Sequence, residues 1–247
     1  MLEMKGNYVN FNIEFSAVQN YAYEGDGNLE DFGVLRNNPS NQSVYILQSR
    51  ENKKMAYRIY KDFKRKTFDQ ARDAILIQRL HENGYRINDI DFPYGVITMD
   101  NRVIGQAIPY YEQSCALADF ESSVITLSTL LADAYSLIKE LYDHDIYYLD
   151  IHEYNFLVTP EGLKLIDFDN EMTYFINNKS KEEKEKLKAL YERHIVKSFK
   201  SMAHFLLSCR YGLSIDQAHT MEELGEEVFN LQENRPKIKI KKWGLNS

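Results

Sequence analysis

Cysteine is scarce. Cys115 and Cys209 stand far apart and in no zinc-binding or redox spacing, which excludes a disulfide-stapled secreted domain and a structural zinc fold. Reduced, buried thiols and a cytoplasmic setting are the expectation. Long apolar runs are missing as well: neither the opening Met1-Leu2-Glu3-Met4-Lys5-Gly6 nor any later segment carries the unbroken stretch of a signal peptide or membrane span, so no membrane partner is expected. Basic excess is lacking too. Thirty Lys and Arg against 37 Asp and Glu give a net charge of -7, which offers no long-range pull on nucleic acid. The one short basic stretch, Lys237, Lys239, Lys241 and Lys242, alternates with Ile238 and Ile240 and reads as an edge strand or a solvated tail. Internal repeats and low-complexity tracts are absent, so a solenoid or a disordered chain is not expected.

What is present is a composition that can fold: 44% hydrophobic residues supply a core, and 247 residues suit two small parts packed around one cleft. Val9, Phe11, Ile13 and Phe15 alternate with polar residues and predict a strand ahead of the main body. Strand patterns follow at Phe32 to Arg36, Ser43 to Gln48 and Lys54 to Lys61. Thr67 and Gln70, at capping-box spacing, open a helical stretch that runs to Gly84. Tyr94 to Met99 and Arg102 to Ile108 complete a five-stranded sheet. The pattern then changes. Leu127, Leu130, Leu131, Ala134, Leu137, Ile138 and Leu141 mark one buried face of a long helix. A second apolar helix is predicted from about His194 to Leu207, after a charge-dense stretch from Lys179 to Lys188 that reads as a solvated helical face or a mobile loop. The division expected is an N-terminal extension over 1–30, a small lobe over 31–109 and a helical lobe over 110–247.

Chemistry concentrates after the long helix, in Tyr148-Leu149-Asp150-Ile151-His152-Glu153-Tyr154-Asn155, Phe156-Leu157-Val158, Thr159-Pro160-Glu161-Gly162 and Leu163-Lys164-Leu165-Ile166-Asp167-Phe168-Asp169. The middle predicts a β-hairpin. A turn centred on Glu161 would set Asn155 opposite Asp167. An amide oxygen and a carboxylate facing each other suit Mg²⁺, a hard cation that keeps several waters and bridges phosphates. Asp150, five residues before Asn155, would project beside them from the preceding loop, where a carboxylate can accept a hydroxyl proton. Each residue alone would be read as a turn cap. The combination of an Asp, an Asn five later, an apolar strand, a Gly turn and a strand ending in Asp-Phe is much rarer than its parts.

In these residues the sequence resembles the protein-kinase-like superfamily, which includes the protein kinases and the aminoglycoside and choline kinases. The resemblance covers most of residues 32 to 210. Asp150 matches the family's catalytic-loop aspartate, Asn155 its metal-binding asparagine and Asp167 the aspartate of its D-F-G motif. His152 gives the loop the D-x-H-x-x-N form of small-molecule and atypical bacterial kinases, and belongs with Asp150 among the catalytic candidates. Tyr148-Leu149 stands where protein kinases carry His-Arg, and Asp169 replaces the motif's Gly. The fold implied is α+β and bilobal, a small antiparallel-sheet lobe plus a larger, mostly helical one. The cofactors implied are ATP and Mg²⁺.

The resemblance further implies a strand cation that pairs the phosphates and an acidic partner on the following helix. In Met55-Ala56-Tyr57-Arg58 the period of two places Ala56 and Arg58 on one face, so Arg58 fits the cation's place better than Lys61. Asp73, seven before Leu80, shares that helix's packed face and is its expected partner. No glycine falls between Arg36 and Ser43, so Ser40 and Asn41 would supply phosphate donors by side chain, or else form a polar turn with no ligand. Tyr110, after the last sheet strand, lies in the expected hinge, whose backbone would bond adenine. Three functions share these residues. They are a kinase acting on protein Ser or Thr hydroxyls, which the short helical part favours, a small-molecule kinase of the aminoglycoside or choline type, and a nucleotide-binding pseudokinase.

Overall fold

The computed structural model describes residues 3–5, 8–10, 13–14, 34–38, 42–48, 54–60, 76, 90, 92–93, 95–99, 102–111, 113–168, 172–176 and 179–233. Within them the chain is α+β, with antiparallel sheets and three helices.

The largest sheet has six strands. β4 (Val34–Asn38), β5 (Gln42–Gln48), β6 (Lys54–Tyr60), β7 (Gly95–Met99) and β8 (Arg102–Pro109) are the five expected from the sequence. They stand in the order β7-β8-β6-β5-β4, and β3 (Ile13–Glu14) adds to the outer side of β7. The alternation at Val9 to Phe15 therefore does not make one strand. It is split between β2 (Tyr8–Asn10), which pairs with β1 (Glu3–Lys5), and β3, because the two halves have different partners. Most of the helix expected over Thr67 to Gly84 lies outside the described residues, although Leu76 is helical and buried.

β8 leads through β9 (Cys115–Ala116) and a 3₁₀ turn at Leu117–Asp119 into α1, Val124–Asp143. Ser123 caps this helix by accepting the Thr126 N–H at 3.2 Å. The expected apolar stripe is buried along its length. β10 (Ile146–Tyr148) follows at once and is paired with β13 (Thr173–Phe175), while β11 (Phe156–Thr159) sits between β9 and β12 (Gly162–Leu165). The chain closes with α2 (Lys181–Tyr211) and α3 (Met221–Glu233). One continuous core joins α1, β10 to β12, α2 and α3, and it takes in Leu76, Ile90 and Phe92 as well.

The second helix starts well before His194. Ser180 accepts the Glu183 N–H while Glu183 accepts the Ser180 N–H, a reciprocal cap that begins α2 at Lys181. These hydrogen bonds from Ser180 hold the Glu183 carboxyl below its ordinary range. The charge-dense stretch is thus the solvated first half of the helix, and burial begins in earnest at Ile195, Val196 and Phe199. Gly212, at φ 65°, ends it in the left-handed conformation that a glycine adopts without a Cβ penalty.

α3 crosses α1 where one residue can have no side chain. A Cβ on Gly225 would lie 2.5 Å from the Tyr135 hydroxyl and 2.7 Å from its ring. That ring cannot swing aside, since its hydroxyl donates to Met221 O at 2.7 Å and it packs edge-on against Phe199 and Phe229. The same burial raises the Tyr135 phenol above its ordinary range. Alanine gains up to ~1 kcal/mol of helix propensity over glycine, but overpacking a fixed ring costs ~1–3 kcal/mol, so the clash prevails. Gly225→Ala is expected to lower the unfolding free energy by about 1–2 kcal/mol, with a smaller loss in a Tyr135→Leu background, as measured by chemical denaturation.

Candidate functional site

The segment 149–155 is fixed at both ends and in the middle. The Leu149 N–H donates to Met172 O at 2.8 Å, the Ala118 N–H to Glu153 O at 3.2 Å, and the Asn155 N–H to His152 O at 3.0 Å. These bonds hold a loop that would otherwise have no ladder partner.

Its centre is the Asn155 side chain, which is 4% exposed. The Asn155 Nδ2 stands 2.9 Å from Asp150 Oδ2, 2.9 Å from Asp150 O and 2.8 Å from the Tyr148 hydroxyl oxygen. The orientation of the amide is dictated by chemistry. A carboxylate and a carbonyl only accept, and the Tyr148 hydroxyl spends its own proton on Ile166 O at 3.1 Å, so all three neighbours require the amide nitrogen. Asn155 Oδ1 is then the atom left to act as a ligand.

Asp150 has a second neighbour. His152 Nε2 is 3.5 Å from Asp150 Oδ2, and His152 Nδ1 accepts the Tyr154 N–H at 3.2 Å. With Nδ1 accepting, the neutral ring carries its proton on Nε2, which faces the carboxylate. Asp150 keeps a third of its side chain exposed, so the carboxylate is held from below and reachable from outside.

The hairpin differs from expectation by one residue. Phe156 pairs with Leu165 and Thr159 with Gly162, so the turn is the dipeptide Pro160-Glu161 and its centre lies between them. Thr159 Oγ1 donates to Gly162 O and accepts the Glu161 N–H, and Gly162 takes φ 120° to close the loop. Asn155 therefore stands opposite Ile166, whose N–H donates to Asn155 O at 2.9 Å, and not opposite Asp167. A one-residue slip sends a side chain to the other face. Asp167 is thereby set on the face opposite to the one expected, while the Asn155 amide bonds to Asp150 and Tyr148.

Asp167 is the next residue and adopts φ 65°, an uncommon conformation for a residue with a Cβ, although Asp is among those that tolerate it. Its neighbours impose it. Ile166 is bonded at both N–H and O, while Phe168, 1% exposed, packs between Tyr148 at 5.1 Å and Phe92 at 5.0 Å. A backbone held in a sparsely populated region by over-determined flanks is a common property of functional positions.

Asn155 and Asp167 offer hard oxygen donors, the chemistry that suits Mg²⁺. Among the described residues no group of three or more His, Cys, Asp or Glu is placed to hold a metal ion. A set of two protein oxygens is consistent with a cation that retains waters and substrate oxygens.

Of the other expected site residues, Arg58 lies in β6 near the middle of the large sheet, in register with Val44 and Gln106. Gln106 is buried and its Nε2 has no hydrogen-bond partner among the described residues. Tyr110 directly follows β8 and is half-buried. Ser40, Asn41 and Asp73 lie outside the described residues, as does Asp169. The residue that sequence reasoning passed over is Tyr148. It was legible only as a departure from His, whereas its hydroxyl ties Asn155 to the strand that delivers Asp167.

The chain matches no protein-family model and no curated protein.

Tyr148→Phe should keep the ring packing and lose both hydroxyl bonds, at a cost of about 1–3 kcal/mol for the unsatisfied Ile166 O and the weakened amide. Asn155→Asp should cost more at neutral pH, because a carboxylate would then face three acceptors. Urea unfolding of the two variants checks the order.

Proposed function

We propose that the chain is an ATP-dependent phosphotransferase of the two-lobed, protein-kinase-like type, in which the β3 to β8 sheet covers the nucleotide and the helical part carries Asp150, Asn155 and Asp167. The observation that supports this best is the fixing of Asp150: its carboxylate accepts from a buried amide yet remains open to solvent on one side.

In this reading the acceptor hydroxyl approaches the open side of Asp150. The carboxylate takes its proton as the oxygen attacks the γ-phosphorus, the bond to the β-phosphate oxygen breaks, and ADP leaves with the bonding pair. Asn155 holds the carboxylate so that its free lone pair points outward, and the His152 Nε2–H steadies the same oxygen. Asn155 Oδ1 and Asp167 are the residues that would hold Mg²⁺, which would supply charge neutralisation to the phosphates. Arg58, paired with Asp73, is assigned to the phosphates, with Ser40 and Asn41 above them and the backbone at Tyr110 facing adenine. A chain of 247 residues leaves little room for inserted helices that would wall a small-molecule pocket, which favours a protein Ser or Thr acceptor.

The two aspartates should separate. Asp150→Asn keeps an oxygen to accept from Asn155 but loses the base, so turnover should fall ~10²- to 10⁴-fold with ATP affinity nearly unchanged. Asp167→Asn should weaken Mg²⁺-dependent ATP binding and turnover together. Single-turnover assays with γ-labelled ATP, beside calorimetric titration with ATP and Mg²⁺, measure both. A fully active Asp150→Asn protein would refute the assignment.

A further inference from the structure

Away from Asp150, α2 carries a second concentration of charge. Arg193, Lys197, Lys200 and His204 follow one another at steps of four, three and four residues, which places them along one stripe of the helix. With Ser201 they line one side of a cavity of about 360 Å³, and the loop before α3 lines the other with Asp216 and His219. The floor is apolar, made of the buried Val196, Ile215 and Ala218.

Three features set this groove apart from a solvated helix face. First, its cations lack counter-ions. Among the described residues no carboxylate lies within ion-pair distance of Arg193, Lys197, Lys200, His204 or His219, whereas Lys186 is paired with Glu182, Lys188 with Asp145 and Lys139 with Asp143. In a chain of net charge -7 carboxylates are plentiful, yet Asp216 is the single acid among the residues that line this concave site. Second, its single acid is turned to its own loop. Asp216 accepts from Ser214 Oγ at 3.3 Å and from Gln217 Nε2 at 3.1 Å. Third, the groove is preformed, because Lys200 Nζ donates to Asp216 O and Ala218 O and so pins the facing loop to the helix. At the start of α3 Glu192 accepts the Met221 N–H and Thr220 Oγ1 the Glu223 N–H, while the Glu223 carboxylate accepts the N–H groups of His219 and Thr220 just before the helix.

We propose that this groove is a binding site for a small, multiply charged anion bearing phosphate groups. The guanidinium of Arg193 and the ammonium of Lys197 supply the main charge, His204 and His219 donate from either wall, and the apolar floor accepts the ligand's uncharged part. The size lies within the range of small-molecule sites. Bringing like charges together without partners is unfavourable in the free protein, and an anion relieves that repulsion when it binds. A site of this kind would be an effector or acceptor-recognition site, separate from the Asp150 cluster.

The test uses the full chain and inorganic pyrophosphate, titrated calorimetrically at low salt with EDTA present. Expected is one site per chain, retained in Asp167→Asn and weakened about tenfold or more in Arg193→Gln with Lys197→Gln, since each lost bond to a charged group is worth that order. Lys181→Gln with Lys184→Gln, the same change of net charge at the start of α2, should leave affinity within about twofold. Both groove residues are exposed, and Lys197→Gln alone carries the test if the double variant melts early. No measurable binding to the wild-type chain, loss of binding in Asp167→Asn, or equal weakening by the Arg193/Lys197 and Lys181/Lys184 double variants would each overturn the proposal.

Discussion

The side-chain amide of Asn155 holds the site together. A buried amide must find partners for its protons, because leaving one unmet costs more than the bond itself gains. Here those partners are a carboxylate, a backbone carbonyl and a phenol, drawn from Asp150 and Tyr148. One interaction therefore sets the rotamer of Asp150, the path of the loop that carries it and the spacing between that loop and the strand ahead of Asp167. Tyr148 extends the connection through Ile166, and Phe168 closes it from the other side.

Such a cluster needs a rigid support. It is provided by α1, whose buried stripe faces α2, α3 and the short strands together, and by β10, all three of whose residues are buried. Tyr147 and Tyr142 pack edge to face within that support, and Tyr147 stacks on toward Tyr191 of α2. Burial, reinforced by nearby carboxylates, raises both the Tyr142 and Tyr147 phenols well above their ordinary range, so they stay neutral across physiological pH. The loop that carries Asp150 thus rests on groups that keep one charge state across physiological pH.

Reading the sequence located the elements better than their registers. The five strands and α1 were legible because period-two and three-to-four spacing report burial directly. The extent of α2 was less so: Leu187 is the one apolar residue in Lys179 to Lys188, and the reciprocal Ser180 and Glu183 cap with the later apolar face shows that one helix runs through it. The hairpin was foreseen with its partners shifted. Both a turn centred on Glu161 and one centred after Pro160 satisfy the residue types, and what separates them is the φ of 120° at Gly162 and the Thr159 bonds across the turn. That one-residue difference sets Ile166, and not Asp167, opposite Asn155.

By itself the sequence determined the α+β class, the strand succession of the large sheet and the long apolar helix, and it marked the narrow stretch from Asp150 to Asp167 in which oxygen-bearing side chains gather. These depend on local periodicity and on which residue types can do a given chemistry. Only the tertiary structure decided which atoms meet. Tyr148 lies 18 residues from Ile166, and Arg193 is 26 residues from His219, yet the first pair shares a hydrogen bond and the second a cavity. No local pattern records such pairings, because they are fixed by how α1, the hairpin, α2 and the following loop pack against one core.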